Sequence, residues 1–271
     1  MLEVGIVRWE KGVAHHTKDI VALEEPLEIR VNDESLVVTM RTPGDDFALA
    51  AGFLFAEGVI QNAWDIRQMG YSTDLQQPEQ RNMLNVALRQ GNSPKLLSVR
   101  QERSFVSHSS CGVCGKTNLG AVQCFAPPLE EEDLRVSVDI FASLGAKLRE
   151  QQQVFATTGG LHAAGLFDTS GNLLSLKEDI GRHNAVDKLI GAEVLSGRMP
   201  LHQHILMVSG RTSFEIVQKA AMARIPILCA VSAPSSFAVQ LAHDLHITLI
   251  GFLRGETMNV YTASNRLIES R

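Results

Sequence analysis

Three short apolar runs alternate with helical segments in the second half of the chain, and this alternation constrains the fold more than any other feature. The runs span residues 205–208, 227–231 and 247–252, and segments of helical character lie at 214–222 and 237–245. Strands that are covered on both faces form continuous aliphatic runs of this kind, and helix-length connections join parallel strands. The second half is therefore predicted to be an α/β fold, arranged as a three-layer sandwich.

Two more helices and a hairpin are expected in the second half, upstream of these runs. Apolar residues recur at helical spacing within 141–148 and again within 186–194. Between these two segments, β-type residues at 164–167 and 173–176 flank a polar turn. That pattern predicts a β-hairpin between two helices.

The first half combines a hairpin, a helix and a further strand. β-type segments at 27–31 and 36–40 flank a polar turn, and residues 83–88 predict another strand. Asp45 or Asp46 is expected to cap the helix that follows the hairpin. The predicted apolar stripe of that helix consists of Phe47, Ala50, Ala51 and Leu54.

The clearest signal of a domain boundary follows residue 126. Pro127 and Pro128 resist both helix and sheet interiors, and a run of four acids at 130–133 prefers solvent. We therefore predict a smaller N-terminal α+β domain over residues 1–128 and a C-terminal α/β domain over residues 129–271.

Composition excludes several classes of protein. The formal net charge of −5 and an aromatic content of 6% argue against a general nucleic-acid binder, which needs clustered basic and stacking residues. Neither a signal peptide nor an apolar stretch of membrane-spanning length is evident. Four cysteines in 271 residues are too few for a disulfide scaffold, so a cytoplasmic protein with reduced thiols is expected.

Two cysteines form a Cys-x-x-Cys motif within a segment rich in serine and glycine. Cys111 and Cys114 lie near Arg100, Arg103 and Lys116, and such an electropositive setting favours the nucleophilic thiolate. Two thiols three positions apart can also exchange sulfur or form a transient disulfide. A redox centre of thioredoxin type would need this motif at the start of a helix in a small βαβ domain. The alternative without a function is that Cys111 and Cys114 are incidental cysteines in a loop.

A zinc site is the other alternative for these thiols. Its ligands would be His108, Cys111, Cys114 and Cys124, but structural zinc usually needs a second tightly spaced pair of ligands. No structural metal is therefore expected. The remaining cysteine, Cys229, lies within an apolar run and is predicted to be an inert core residue.

Polar loops follow each of the three apolar runs, where the carboxyl ends of parallel strands should meet. Ligands of open α/β sheets bind at that edge, with anions on free backbone N–H groups at helix starts. Arginine side chains there can bind phosphate through two hydrogen bonds. Helix capping by the hydroxyl residues is the simpler alternative for each loop alone. The candidate ligand-binding residues of these loops are Ser209, Arg211, Ser232, Ser235 and Arg254.

A third polar motif follows the predicted hairpin at 164–176. Asp179, Arg182 and His183, together with His162 upstream, are candidates for a polar active cavity or a proton path. The alternative is structural, with Asn184 as the cap of the next helix and a surface ion pair.

Three of these motifs together resemble the FdhD family, the accessory sulfurtransferases of formate dehydrogenase. The similar segments are residues 110–115, which contain both motif cysteines, residues 178–188, and residues 248–252 with 260–262. The resemblance extends over nearly the whole chain. It implies a cytoplasmic homodimer whose larger domain has a cytidine-deaminase-like α/β fold. The deaminase zinc signature is missing from this sequence, so deaminase chemistry does not transfer.

The resemblance also implies a reaction. A cysteine desulfurase would supply sulfur as a persulfide on Cys111, with Cys114 assisting its transfer or relay. The acceptor would be the molybdenum cofactor, bis-molybdopterin guanine dinucleotide, before its insertion into formate dehydrogenase, and GDP-like nucleotides would mimic it. The segment expected to lie on the cofactor consists of Phe252, Leu253, Arg254, Gly255, Glu256 and Thr257. Related sequences often carry another basic residue late in this segment, where Glu256 and Thr257 stand here.

Two functions of other classes compete with sulfur transfer. A non-catalytic chaperone would bind the cofactor and hand it over without using a thiol. A regulatory module would hold zinc on the cysteine motif.

Overall fold

The computed structural model describes residues 1–72, 82–89, 96, 99, 126–130 and 134–269. Its elements, in chain order, are β1 (Leu2–Glu10), β2 (Val13–Val21), β3 (Glu25–Val31), β4 (Glu34–Arg41), α1 (Asp46–Ala56), β5 (Ile66–Tyr71), β6 (Met83–Leu88), β7 (Val136–Ser137), α2 (Phe141–Gln151), α3 (Gln153–Thr158), β8 (His162–Asp168), β9 (Leu173–Asp179), α4 (Arg182–Leu195), β10 (His204–Val208), α5 (Phe214–Met222), β11 (Ile227–Ala230), α6 (Ser236–Asp244), β12 (Thr248–Arg254), β13 (Thr257–Thr262) and β14 (Leu267–Ile268). Within the described part of the chain, no helix combines the length and the apolar character that a membrane span needs.

Among the described residues, the largest sheet has six strands in the order β13-β12-β11-β10-β8-β9. Strands β10, β11 and β12 are parallel, with Ile205 opposite Ile227 and Ile227 opposite Thr248. Strands β8, β9 and β13 join the sheet in antiparallel pairs. The predicted α/β class and the parallel runs are therefore confirmed, and the predicted hairpin at 164–176 is the β8–β9 pair.

Helices cover both faces of this sheet. Ile205 and Met207 of β10 pack with α2 on one face, where Phe141, Leu144 and Leu148 form its buried side. The alternate residues of β10 pack on the other face in one core with α4, α5 and α6. This arrangement is the predicted three-layer sandwich, and it follows from the alternation of side chains along a strand.

The N-terminal sheet has the strand order β4-β3-β6-β5, and α1 lies between it and α4. A Cβ atom on Gly52 of α1 would fall 1.9 Å from the carbonyl oxygen of Asp187 in α4. The two helices therefore cross in backbone contact. The predicted apolar stripe of α1 is wrong in one respect, because the helix is buried from Ala48 to Ala56 while Phe47 is exposed. A helix enclosed between a sheet and another helix has no solvent-facing side over most of its length.

The proline pair is held against the C-terminal half. Arg224 donates hydrogen bonds to the carbonyl oxygens of Pro127 and Pro128, at 2.8 and 3.2 Å. The N–H of Leu129 donates to the carbonyl oxygen of Leu245 at 3.0 Å. The domain boundary between residues 128 and 129 stays a prediction.

Candidate functional site

The predicted thiol motif lies outside the described residues. This applies to Cys111 and Cys114, and to His108 and Cys124 of the alternative zinc site. Cys229 is described and fully buried, and burial raises the pKa of its thiol well above the ordinary value. It is therefore a core residue, as predicted. Among the described residues, no cluster of histidine, cysteine and acidic side chains is arranged to hold a metal ion.

The polar loops after β10, β11 and β12 meet at one edge of the six-stranded sheet. The N–H of Thr212 donates to the carbonyl oxygen of Ala233 at 3.3 Å, and the N–H of Ser235 donates to Thr212 at 3.0 Å. The N–H of Phe252 donates to the carbonyl oxygen of Ser232 at 3.2 Å. The three loops thus form a continuous hydrogen-bonded surface, as expected for the carboxyl ends of parallel strands.

Two serines predicted to bind ligand also stabilise this edge. The Oγ of Ser209 accepts a hydrogen bond from the N–H of Ala163 at 2.9 Å. The Oγ of Ser235 accepts one from the N–H of Ala238 at 3.2 Å and caps α6. Capping therefore accounts for Ser235, as the simpler alternative expected. Each hydroxyl still has its own proton to donate to a ligand.

The two arginines of these loops carry the positive charge of the edge. Arg211 and Arg254 are both exposed. Within the described part of the chain, neither guanidinium forms an ion pair with an acid. Unpaired guanidinium groups are available to bind phosphate oxygens in pairs. Glu256 and Thr257 are exposed at the same turn, so an acidic side chain lies close in sequence to Arg254.

Phe252 has an unusual backbone conformation. Its φ angle is +52°, in the left-handed region, and its side chain is 38% exposed. Bulky residues rarely occupy this region, and strain of this kind is concentrated at functional sites. The preceding Gly251 is tightly enclosed, because a Cβ there would lie 3.0 Å from both Pro234 and the ring of Tyr261.

Asp179 forms a fully buried tether between the two halves of the molecule. Its Oδ1 accepts hydrogen bonds from the N–H of Gly181 at 2.8 Å and from Asn184 at 3.0 Å. Its Oδ2 accepts one from the N–H of Thr42 at 3.1 Å and pairs with Lys188 at 2.7 Å. The carboxylate thus joins the loop after β4 to the start of α4.

The structural alternative for this motif needs correction in two details. Helix α4 begins at Arg182 with Gly181 as its N-cap, so Asn184 lies inside the helix and does not cap it. The amide of Asn184 instead donates to the carbonyl oxygen of Met40 at 2.8 Å. The ion pair of Asp179 and Lys188 is buried, not on the surface.

His162 and Arg182 lie together at the same sheet edge. A Cβ on Gly210 would be 3.3 Å from Nδ1 of His162 and 3.6 Å from Cδ of Arg182, so the loop after β10 contacts both side chains. Desolvation by burial, and secondarily the charge of Arg182, lowers the pKa of His162. The Nε of Arg182 is buried, and among the described residues it has no hydrogen-bond partner.

His183 contacts the start of α5. Its Nε2 lies 2.9 Å from the Oγ of Ser213 and 3.2 Å from a carboxylate oxygen of Glu215. Both partners contact the same ring nitrogen, whereas a catalytic triad places the serine and the acid on different nitrogens. These three residues therefore lack triad geometry and connect α4 to α5.

Sequence reasoning missed two exposed aromatic residues at this edge, Phe237 and Tyr261. Phe237 is 49% exposed and lies two residues after Ser235, the N-cap of α6. Tyr261 lies on β13 beside Gly251. The start of α6 next to Ser235 was the available signal, because it puts Phe237 in a first helical turn beside the strand-end loops.

Comparison with known proteins places these features in a family. The chain matches the sequence profile of the FdhD/NarQ family over residues 22–268. It is 51% identical to the sulfur carrier protein FdhD of Nocardia farcinica over 265 residues, covering 97% of this chain and 93% of that protein. It is 46% identical to the protein of the same name from Streptomyces coelicolor over 264 residues, covering 97% and 94%. A solved structure of a Desulfotalea psychrophila protein, named as a formate dehydrogenase accessory protein, superimposes with a TM-score of 0.75 at 26% identity, covering 98% of this chain and 99% of that one.

Proposed function

Because the chain belongs to the FdhD/NarQ family, we propose that it is a cytoplasmic sulfur carrier that serves formate dehydrogenase as an accessory protein. A cysteine desulfurase donates the sulfur, and Cys111 carries it as a persulfide. The acceptor is bis-molybdopterin guanine dinucleotide, which receives the sulfur before its insertion into formate dehydrogenase. The observation that best supports this acceptor is the sheet edge where the loops carrying Arg211 and Arg254 meet.

The proposed sulfur transfer uses both motif cysteines. The thiolate of Cys111 attacks the outer sulfur of the desulfurase persulfide, and the desulfurase cysteine leaves as a thiolate. The thiolate of Cys114 then attacks the Cys111 sulfur of the new persulfide. This step forms a Cys111–Cys114 disulfide and releases hydrosulfide to the acceptor. Two thiols are oxidised while the transferred sulfur gains two electrons, and a thiol reductant restores the pair.

The proposed acceptor site suits a polyanion. Two exposed guanidinium groups can each bind phosphate through two hydrogen bonds. The first turns of α5 and α6 begin at the same sheet edge, so their positive helix-dipole ends lie there too. Half-buried His162 and Arg182 lie beside the loop after β10 and extend the polar surface of this edge.

Mass spectrometry of the intact protein tests the sulfur carrier. Incubation with cysteine and a desulfurase should add the mass of one sulfur atom, and a reductant should remove it. Cys111→Ala should abolish this gain, whereas Cys229→Ala should retain it, because that thiol is buried and its pKa is raised. Sulfur addition to Cys111→Ala would refute the assignment.

Two further measurements separate the competing functions. A chaperone that uses no thiol would support formate dehydrogenase activity as Cys111→Ala, whereas a sulfur carrier would not. Zinc bound in stoichiometric amount to the purified protein, and lost in Cys111→Ala, would favour the regulatory module.

The proposal includes a homodimer, and the β1–β2 hairpin is the surface that suits it. This two-stranded sheet exposes Val7, Trp9 and Val13, and an isolated hairpin is only marginally stable in water. Pairing β2 with its own copy around Thr17 would put His15 opposite Asp19 and His16 opposite Lys18, so that an imidazole N–H could donate a hydrogen bond to the Asp19 carboxylate. Light scattering of the full chain should give the mass of two copies, and Trp9→Glu should reduce it. A monomeric wild-type protein would refute the homodimer.

A further inference from the structure

Three exposed aromatic side chains lie where the loops after β11 and β12 meet. Phe237 is 49% exposed, and Phe252 and Tyr261 are each 38% exposed. Exposed aromatic residues are unremarkable singly, but several together at one edge mark a binding surface. We call Phe237, Phe252 and Tyr261 the aromatic patch.

Contacts around Gly251 hold the patch together. A Cβ on Gly251 would touch both Pro234 and the ring of Tyr261 at 3.0 Å, so the backbone just before Phe252 is enclosed by these two residues. Phe237 follows Pro234 by three residues, in the first turn of α6, and α6 packs against both β12 and β13. The three aromatic residues therefore come from adjoining elements.

The ring of Phe237 packs on the ring of a buried phenylalanine. It stacks on Phe214 with ring centroids 4.6 Å apart and an angle of 8° between the planes, and Phe214 is itself buried. One face of the Phe237 ring is thus fixed against the protein, while about half of the side chain stays exposed. A flat ring held in this way is already oriented to stack on a second flat ring.

The conformation of Phe252 also points to a ligand. The N–H of Phe252 donates a hydrogen bond to the carbonyl oxygen of Ser232, which helps to hold the left-handed backbone. The side chain is 38% exposed, so burial of the ring does little to offset the backbone strain. Two residues further on, Arg254 presents an exposed guanidinium. An aromatic surface beside an exposed cation matches the two ends of a nucleotide, a planar base and a phosphate.

We propose that Phe237 is the stacking platform for the purine base of the bound nucleotide, with Phe252 and Tyr261 at its border and Arg254 at the phosphates. This inference rests on the proposed function, in which the acceptor is a guanine dinucleotide. Stacking of one base on an aromatic side chain corresponds to about a 5- to 150-fold change in affinity.

Calorimetric titration of the full chain with GDP tests the platform. Phe237→Leu retains an apolar side chain over Phe214 but removes the ring, so GDP should bind about 5- to 150-fold more weakly. Inorganic pyrophosphate, which has no base, should bind this variant as it binds the wild type. Phe47→Leu is the matched control, because Phe47 is also an exposed aromatic residue but lies on α1; its affinity for GDP should be unchanged.

A second variant keeps the test independent of folding. Phe237→Trp should retain GDP binding, and the stacked guanine should quench the fluorescence of the new indole. Unchanged GDP affinity in Phe237→Leu, or no quenching in a Phe237→Trp protein that binds GDP, would overturn the platform alone. If wild-type protein does not bind GDP while Cys111 still acquires sulfur, the platform and the nucleotide site fail and the sulfur carrier stands.

Discussion

Replacing Gly191 with alanine should destabilise the protein, although alanine is the better helix former. A Cβ at this position would lie 1.8 Å from the carbonyl oxygen of Ala48 and 2.5 Å from the amide nitrogen of Gly52. Ordinary contact begins at 3.4 Å, so α1 and α4 must move apart by well over an ångström. The obstacle is rigid backbone, and no flexible side chain can yield to it.

The magnitude follows from two opposing effects. Overpacking in a core costs typically about 1–3 kcal/mol and sometimes more. The higher helix propensity of alanine returns about 1 kcal/mol. Because backbone meets backbone here, we expect the upper end of the cost and a net loss of about 2 kcal/mol or more.

Urea unfolding followed by circular dichroism measures this loss, and Gly145→Ala is the matched control. Gly145 also lies within a helix, α2, but a Cβ there would meet only Met207, at 3.6 Å. This variant should gain up to about 1 kcal/mol from propensity alone. Gly52→Ala, on the opposite side of the crossing, should behave like Gly191→Ala. Equal stability of Gly191→Ala and wild type would refute the backbone contact.

Three further predictions follow from the buried polar groups and one helix cap. Lys188→Met leaves the carboxylate of Asp179 buried without its cation and should cost about 3–5 kcal/mol in urea unfolding. Adding Asp179→Asn should restore only part of this loss, because the new amide nitrogen would face the N–H of Thr42 or of Gly181; a double variant no more stable than the single one would contradict this. Folding lowers the pKa of His162, so the unfolded chain takes up the proton first and the free energy of unfolding should fall as the pH drops below 6.5. His162→Gln should weaken this pH dependence; an unchanged dependence of stability on pH in the variant would contradict the prediction. Ser235→Ala removes the cap of α6 and should cost about 1 kcal/mol, a loss that Ser236→Ala should not reproduce.

The elements of the second half could be predicted closely from local patterns. The helix expected at 214–222 is α5, and the run at 227–231 is β11 with one residue fewer. These segments carry their own hydrophobic pattern, because their surroundings are a simple layer on each side. Helix α1 could not be predicted as well, since its burial comes from the approach of α4, which is distant in sequence.

The candidate site could be predicted in outline but not in its details. Parallel topology alone requires the loops after β10, β11 and β12 to meet, and they do. The support of Phe237 by Phe214 depends on how α5 and α6 lie side by side, which no local pattern contains. The tether at Asp179 depends on a contact with Thr42, more than a hundred residues away in sequence.

The motif at 178–188 shows how one sequence segment divides between structure and site. Lys188 and Asp187 form buried ion pairs, with Asp179 at 2.7 Å and with Lys219 at 2.6 Å. Buried pairs seldom stabilise a fold more than apolar packing would, so their benefit here is a single defined position of α4 against its neighbours. The first residue of that helix is Arg182, at the sheet edge. The buried ion pairs of Lys188 and Asp187 thus fix the position of α4, and with it the position of the half-buried Arg182 at the candidate site.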